Sequence, residues 1–141
     1  MTATFLTPAI ILPKQGRWNR SAKLWRTLIF RPSSGPEISV PAGFMTDLAS
    51  VPVWARPFVS NYEHDTVAAA IVHDWLYAIH ITSRARADLI FFEALGASGA
   101  PAWKQYLMYW GVRLGGGQGW RRDRKAFLRQ QLGEFSYEIR S

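Results

Sequence analysis

The sequence has no cysteine among its 141 residues. That excludes a disulfide framework and any thiolate metal site, so packing alone has to hold the fold. Charge is sparse as well. Asp, Glu, Lys and Arg make up 19% of the chain, below the usual quarter, and acidic residues are outnumbered 10 to 17 by Lys and Arg. No apolar run reaches the roughly 18 residues of a membrane-crossing helix. Met1–Pro13 holds a short apolar stretch, but Pro8 and Pro13 bound it and it has no basic segment. No signal peptide is expected from it. No internal repeat or low-complexity linker is visible.

What the chain does have is apolar material. Hydrophobic residues make up 48% and aromatic ones 14%. This is a globular composition, and the length fits a single domain over residues 1–141. The net charge is +7. Basic residues gather at Arg17, Arg20, Lys23, Arg26 and Arg31, and again at Arg121, Arg122, Arg124, Lys125 and Arg129. Such faces suit nucleic acid, anionic lipid or an acidic protein, and they also occur as plain solvated surface.

The chain changes character near Asn61. Residues 1–60 are strand-rich, 61–134 helical, and 135–141 a tail. Ala9–Leu12, Leu24–Phe30 and Glu37–Val40 read as three strands between turn signals, enough for a small antiparallel sheet that needs a helical cover. Asp65 is placed to cap a helix to about Ile79. Thr82 or Ser83 caps a second, which runs to about Leu95 and ends at Gly96. Pro101 opens a third, to about Leu114. Gly115-Gly116-Gly117 breaks it, and a fourth spans Trp120–Leu132. Phe135–Ile139 reads as a strand. The expected class is α+β: a small antiparallel sheet, then three or four helices.

The residues that carry chemistry cluster on the first two helices. His73-Asp74 interrupts the run Val67-Ala68-Ala69-Ala70-Ile71-Val72, and Trp75-Leu76 resumes it. Burying a carboxylate and an imidazole is costly unless each is hydrogen-bonded or bound to a cation. Tyr77 follows His73 by four residues and so shares its face. Asp88 precedes the apolar run Leu89-Ile90-Phe91-Phe92. A tight helical hairpin with its loop near His80–Thr82 brings Asp88 beside His73 or Tyr77. A carboxylate on one imidazole nitrogen orients the ring, and the other nitrogen can then take a proton from water. The competing partner for Asp88 is Arg84, on its own helix. Asp47, in a loop shaped by Gly43 and Pro52, has two readings. It makes local turn hydrogen bonds with Ser50, or it joins Asp74 and loop carbonyls around a hard cation. The oxygen donors favour calcium over zinc. His64 and His80 stand outside this set.

Three strings in order, VPAGFMTDLASVP, AAAIVHDWLY and RADLIFFEAL, resemble an uncharacterised family of small proteins from tailed phages and prophages, over residues 37–114. The resemblance implies a phage origin, with the phage particle or the host cytoplasm as the setting. His73-Asp74-Trp75-Leu76-Tyr77 and Ala87-Asp88-Leu89-Ile90-Phe91 are also similar to the helix pair of phospholipase A-two enzymes, including the disulfide-free parvoviral type. That likeness implies that His73 activates the attacking water and Asp74 ligates calcium. It further implies that Asp88 orients His73 and Tyr77 hydrogen-bonds Asp88. The glycine-rich calcium loop of those enzymes has no counterpart before the helices.

Two function classes follow. In one the protein is a hydrolase acting on a phospholipid or cell-wall ester, with the aromatic residues of Trp103–Trp110 and the positive charge suited to an anionic bilayer. In the other it is a virion component of tail or baseplate, or an assembly factor. The polar cluster then joins sheet to helices and phage structural proteins are the partners. Nucleic-acid binding through Trp120–Lys125 ranks below both.

Overall fold

A computed structural model describes residues 2–13, 22–46 and 64–140, with the side chains of 13, 64 and 134–140 left aside. Six short strands come first: β1 (Thr4–Phe5), β2 (Ile11–Pro13), β3 (Ala22–Leu24), β4 (Leu28–Arg31), β5 (Ile38–Val40) and β6 (Met45–Thr46). Four helices follow: α1 (His64–Ile79), α2 (Arg84–Ala97), α3 (Ala102–Gly115) and α4 (Gly117–Arg140). The expected α+β class, a strand-rich start and then helices, is the observed one.

The strands form two antiparallel three-stranded sheets, ordered β1-β4-β5 and β2-β3-β6. The segment Leu24–Phe30, read above as one strand, is split between them. Trp25–Thr27 separates β3 from β4, and the chain changes sheets there. Period-two burial explains the split. Ala22 and Leu24 are buried around exposed Lys23, and Leu28 and Phe30 are buried further on. Leu24 and Leu28 keep even spacing, but Trp25 and Thr27 turn outward, so each sheet receives one apolar face. In the first sheet Leu28 stands opposite Val40 and Phe30 opposite Ile38, with Phe5 against Phe30 at 4.7 Å between ring centroids. Each fully buried Leu or Phe of this kind contributes about 1.5–3 kcal/mol.

The loop between β4 and β5 docks the sheet on α2. Gly35 turns it with a φ of +89°, a left-handed conformation that favours glycine. Ser33 then reaches Glu93 through its hydroxyl at 2.5 Å and its backbone N–H at 3.0 Å. Arg86 donates to the Ser34 carbonyl at 2.6 Å.

α1 is the central helix and packs on α2, α4, β4, β5 and β6. Its run of small apolar residues allows this. Ala69, Ala70, Ile71, Val72 and Leu76 are all buried, and alanine lets neighbours approach closely. Asp65 lies inside its first turn, where a carboxylate favours the helix dipole, and accepts from Lys104 Nζ at 2.5 Å. α1 ends at Ile79, and the next residue, His80, has a left-handed φ of 54° and a ring that stacks on Trp120 at 3.5 Å. Ser83 caps α2 as expected, accepting from the Arg86 N–H at 3.1 Å. α2 continues one residue past Gly96, and Pro101 stands just before α3 as its cap residue.

Two expectations near the C-terminus fail. The Gly115-Gly116-Gly117 break shrinks to Gly116 alone, because the backbone there stays right-handed and the Gly116 N–H still bonds the Val112 carbonyl at 2.8 Å. Phe135–Ile139 is the last part of α4, not a strand. An elongating helix adds one hydrogen bond per residue, whereas a strand there would need a partner edge.

Candidate functional site

α1 presents two polar faces. His73 and Tyr77, one turn apart, point towards α2, and Asp74, about 100° further round, points towards β6 and α4.

On the first face the meeting point is Asp88. His73 Nε2 lies 2.8 Å from Asp88 Oδ1, and the Tyr77 hydroxyl donates to the same oxygen at 2.6 Å. Arg113 of α3 donates to the other oxygen at 2.7 Å. Arg84, the competing partner on the same helix, stays 3.8 Å from Asp88 Oδ2 and gives its hydrogen bonds to the Val112 and Arg113 carbonyls. One carboxylate thus joins three helices. Asp88 is fully buried and His73 is 3% exposed. The His73 ring lies against Tyr77 and Phe91, with centroids at 4.1 and 4.5 Å.

The electrostatics follow from this geometry. Burial by itself pushes the Asp88 carboxyl up. The hydrogen bonds from His73, Tyr77 and Arg113, with the electrostatic pull of His73, outweigh it and hold the group below its ordinary value. Burial, then the hydrogen bond and charge of Asp88, push the Tyr77 phenol well above its ordinary range, so it stays a donor. The Asp88 hydrogen bond raises Arg113 further. With Asp88 ionised, the hydrogen-bond pattern assigns a proton to His73 Nε2.

On the second face, Asp74 Oδ2 accepts from the Thr46 hydroxyl of β6. Asp74 is 8% exposed and lines a cavity of about 270 Å³. Phe44, Met45, Ala78 and Phe127 form its apolar wall, and Arg122, Asp123 and Gln130 its polar rim. Phe44 and Phe127 both pack edge-on against Trp75, at 5.2 and 6.0 Å.

Of the residues singled out in the sequence, His73, Tyr77 and Asp88 are brought into direct contact. Asp74 lies on the adjacent face, and Asp47 lies outside the described residues. Among the described residues no group of three or more His, Cys, Asp or Glu is placed to hold a metal. Two contributors were missed. Arg113 comes from α3, 25 residues after Asp88, in a stretch whose local signal is aromatic. Gly116 was read only as a helix breaker, yet a Cβ there would lie 2.6 Å from the Tyr77 hydroxyl and collide with the Val112 carbonyl. His80 serves the scaffold, with its Nε2 at 2.9 Å from the Trp120 carbonyl.

An α+β scaffold carrying a buried His-Asp-Tyr junction on paired helices defines a class without fixing a reaction. The family is identified by residues 22–112, which match the model for a protein family of unknown function, DUF1353, and the chain belongs to that family. The match spans β3 through most of α3 and includes Thr46, His73, Asp74, Tyr77 and Asp88. The chain is also similar to an uncharacterised protein, y4iH, of Sinorhizobium fredii (strain NBRC 101917 / NGR234), with 34% identity over 68 residues. That stretch is 48% of this chain and 28% of the relative's own length. No solved structure matches the chain. Among the described residues no helix is long and apolar enough to cross a membrane.

Proposed function

We propose that this is a protein of tailed phages and prophages that hydrolyses an ester, with phospholipid the leading substrate class and cell-wall esters the variant. The observation that supports it is the 2.8 Å contact between His73 Nε2 and Asp88 Oδ1, with Tyr77 and Arg113 holding the carboxylate in place. In this reading the His73 ring takes a proton from water as the water oxygen attacks the ester carbonyl carbon. The tetrahedral intermediate then expels the alcohol, and the ring returns the proton to the leaving oxygen. Asp88 fixes the tautomer and steadies the charge that forms on the ring.

Calcium belongs to the same reading through Asp74. Calcium takes six to eight oxygens. Among the described residues the Asp74 carboxylate and its partner Thr46 do not by themselves complete such a set. Calorimetric titration with calcium, on wild type and Asp74→Asn, decides the point. One-site binding lost in the variant supports a cation at Asp74, and no binding removes calcium from the reading.

The test of the function is hydrolysis of phosphatidylglycerol vesicles, soluble short-chain esters and cell-wall esters by wild type, His73→Gln and Asp88→Asn. The expected loss in His73→Gln is about 10²–10⁴-fold, the usual contribution of a general base, in a protein that keeps its circular dichroism. Absence of turnover on every ester, or an unaffected His73→Gln, would reject the hydrolase.

The burial of His73 favours a second reading. A ring 3% exposed and packed between Tyr77 and Phe91 suits a polar junction that locks three helices in one arrangement, in a tail, baseplate or assembly protein whose partners are phage structural proteins. Under that reading His73→Gln lowers stability and no ester is turned over.

A further inference from the structure

We propose that the outward face of α3 pairs with the same face of a second copy of this chain, antiparallel and about a two-fold axis. Trp103, Tyr106, Trp110 and Leu114 are each 55–83% exposed, an unusual state for large apolar side chains in a row. Their spacing is three, four and four residues, which puts them on one narrow seam of the helix. A seam that narrow is the pattern of helix against helix.

Charge narrows the choice of occupant. The protein carries +7, yet the two cations of α3 are turned inward, Lys104 onto Asp65 and Arg113 onto Asp88. The seam therefore holds no charged side chain. A bilayer surface is met by aromatic and basic residues on one face, and here they are separated. The exposed basic residues Arg121, Lys125 and Arg129 stand on α4, where, among the described side chains, the aromatic Trp120 and Phe127 pack inward on Tyr77 and Trp75. An acidic protein would be drawn to that basic face. An uncharged seam lets two chains of like charge meet without opposing their cations.

The seam is also self-complementary. About a two-fold axis near Met108, antiparallel pairing sets Trp103 opposite Leu114 of the other copy and Tyr106 opposite Trp110. A two-fold interface needs this reciprocity. Aromatic side chains bury about 150–250 Å² each when covered, so Trp103, Tyr106 and Trp110, each a little over half exposed, offer roughly 250–450 Å² per copy, and Leu114 adds to it. The aromatic residues alone reach about a third to a half of the about 800 Å² per partner in a standard interface, and half-buried Phe92, Leu107 and Tyr109 border them. The rings are already ordered: Phe92 meets Tyr106 at 5.1 Å and Tyr109 meets Trp110 at 5.3 Å. Ordered side chains lose less entropy on association.

The test is sedimentation velocity of the full chain over a wide concentration range. The expected result is a reversible shift from the mass of one chain to twice that mass in wild type. Tyr106→Glu and Trp110→Lys should each remain single at every concentration with unchanged melting, since both positions are exposed. An equal mixture of the two variants should regain association, because position 106 of one copy faces position 110 of the other. Leu128→Glu, on α4, should associate like wild type. A wild type that stays single throughout overturns the proposal, as does association that survives both variants or a mixture that fails to pair. Capture of the single chain by phosphatidylglycerol vesicles, with a tryptophan emission shift that Trp110→Lys abolishes, overturns it in favour of a bilayer.

Discussion

The two polar faces of α1 begin one residue apart and are built in opposite ways. On the His73 face Asp88 is sealed from solvent and receives His73, Tyr77 and Arg113. On the Asp74 face a carboxylate of similar burial borders a cavity and meets a hydroxyl of the sheet. A closed junction resists change, because losing any member leaves a buried polar group unmatched. A carboxylate on a cavity wall has room beside it for a ligand. The hydrolase reading draws its base from the closed face and any cation from the open one.

The largest effect should come from Asp88→Ala. Removing the shared acceptor takes a buried carboxylate partner from His73, Tyr77 and Arg113 at once, and the expected loss is about 3–5 kcal/mol in urea unfolding. A loss below about 1 kcal/mol would mean that the junction is open to water and that the contrast between the faces is false.

The same carboxylate makes stability depend on pH. Its folded value lies below the ordinary 3.8, so its contribution is complete above about pH 4 and disappears as the pH falls through the lowered folded value. Wild type should therefore lose stability in acid more steeply than Asp88→Ala over that window. Parallel curves would show that Asp88 gains nothing from its partners.

Next in size is Gly116→Ala, on the turn that covers the junction. The added Cβ meets the Tyr77 hydroxyl and the Val112 carbonyl, and the strain should cost about 1–3 kcal/mol in thermal unfolding. A neutral result would mean that the α3–α4 turn shifts freely over Tyr77.

The smallest pair compares the faces directly. Tyr77→Phe and Thr46→Val each remove one hydroxyl donor from a buried carboxylate, and each should cost about 1 kcal/mol. Calcium, or any ligand held at Asp74, should respond to Thr46→Val and leave Tyr77→Phe unchanged. Equal responses would merge the two faces into one site.

What the sequence determined by itself is local. A four-residue interval sets His73 and Tyr77 on one face, Ser83 starts α2, and a short hairpin returns Asp88 to them, 15 residues after His73. Helical periodicity and capping act within a few residues, so these features could be read directly. The tertiary structure alone decided that Arg113 supplies the cationic hydrogen bond to Asp88, with Arg84 held further off at 3.8 Å. It also decided that Thr46, 28 residues before Asp74, reaches it from the sheet, and that Trp25–Thr27 divides one apparent strand between two sheets. The physical reason is that each of these depends on which surfaces meet after packing. Arg84 spends its hydrogen bonds on the carbonyls at the end of α3, and only the approach of that helix end puts Arg113 within reach of a carboxylate already sealed from water.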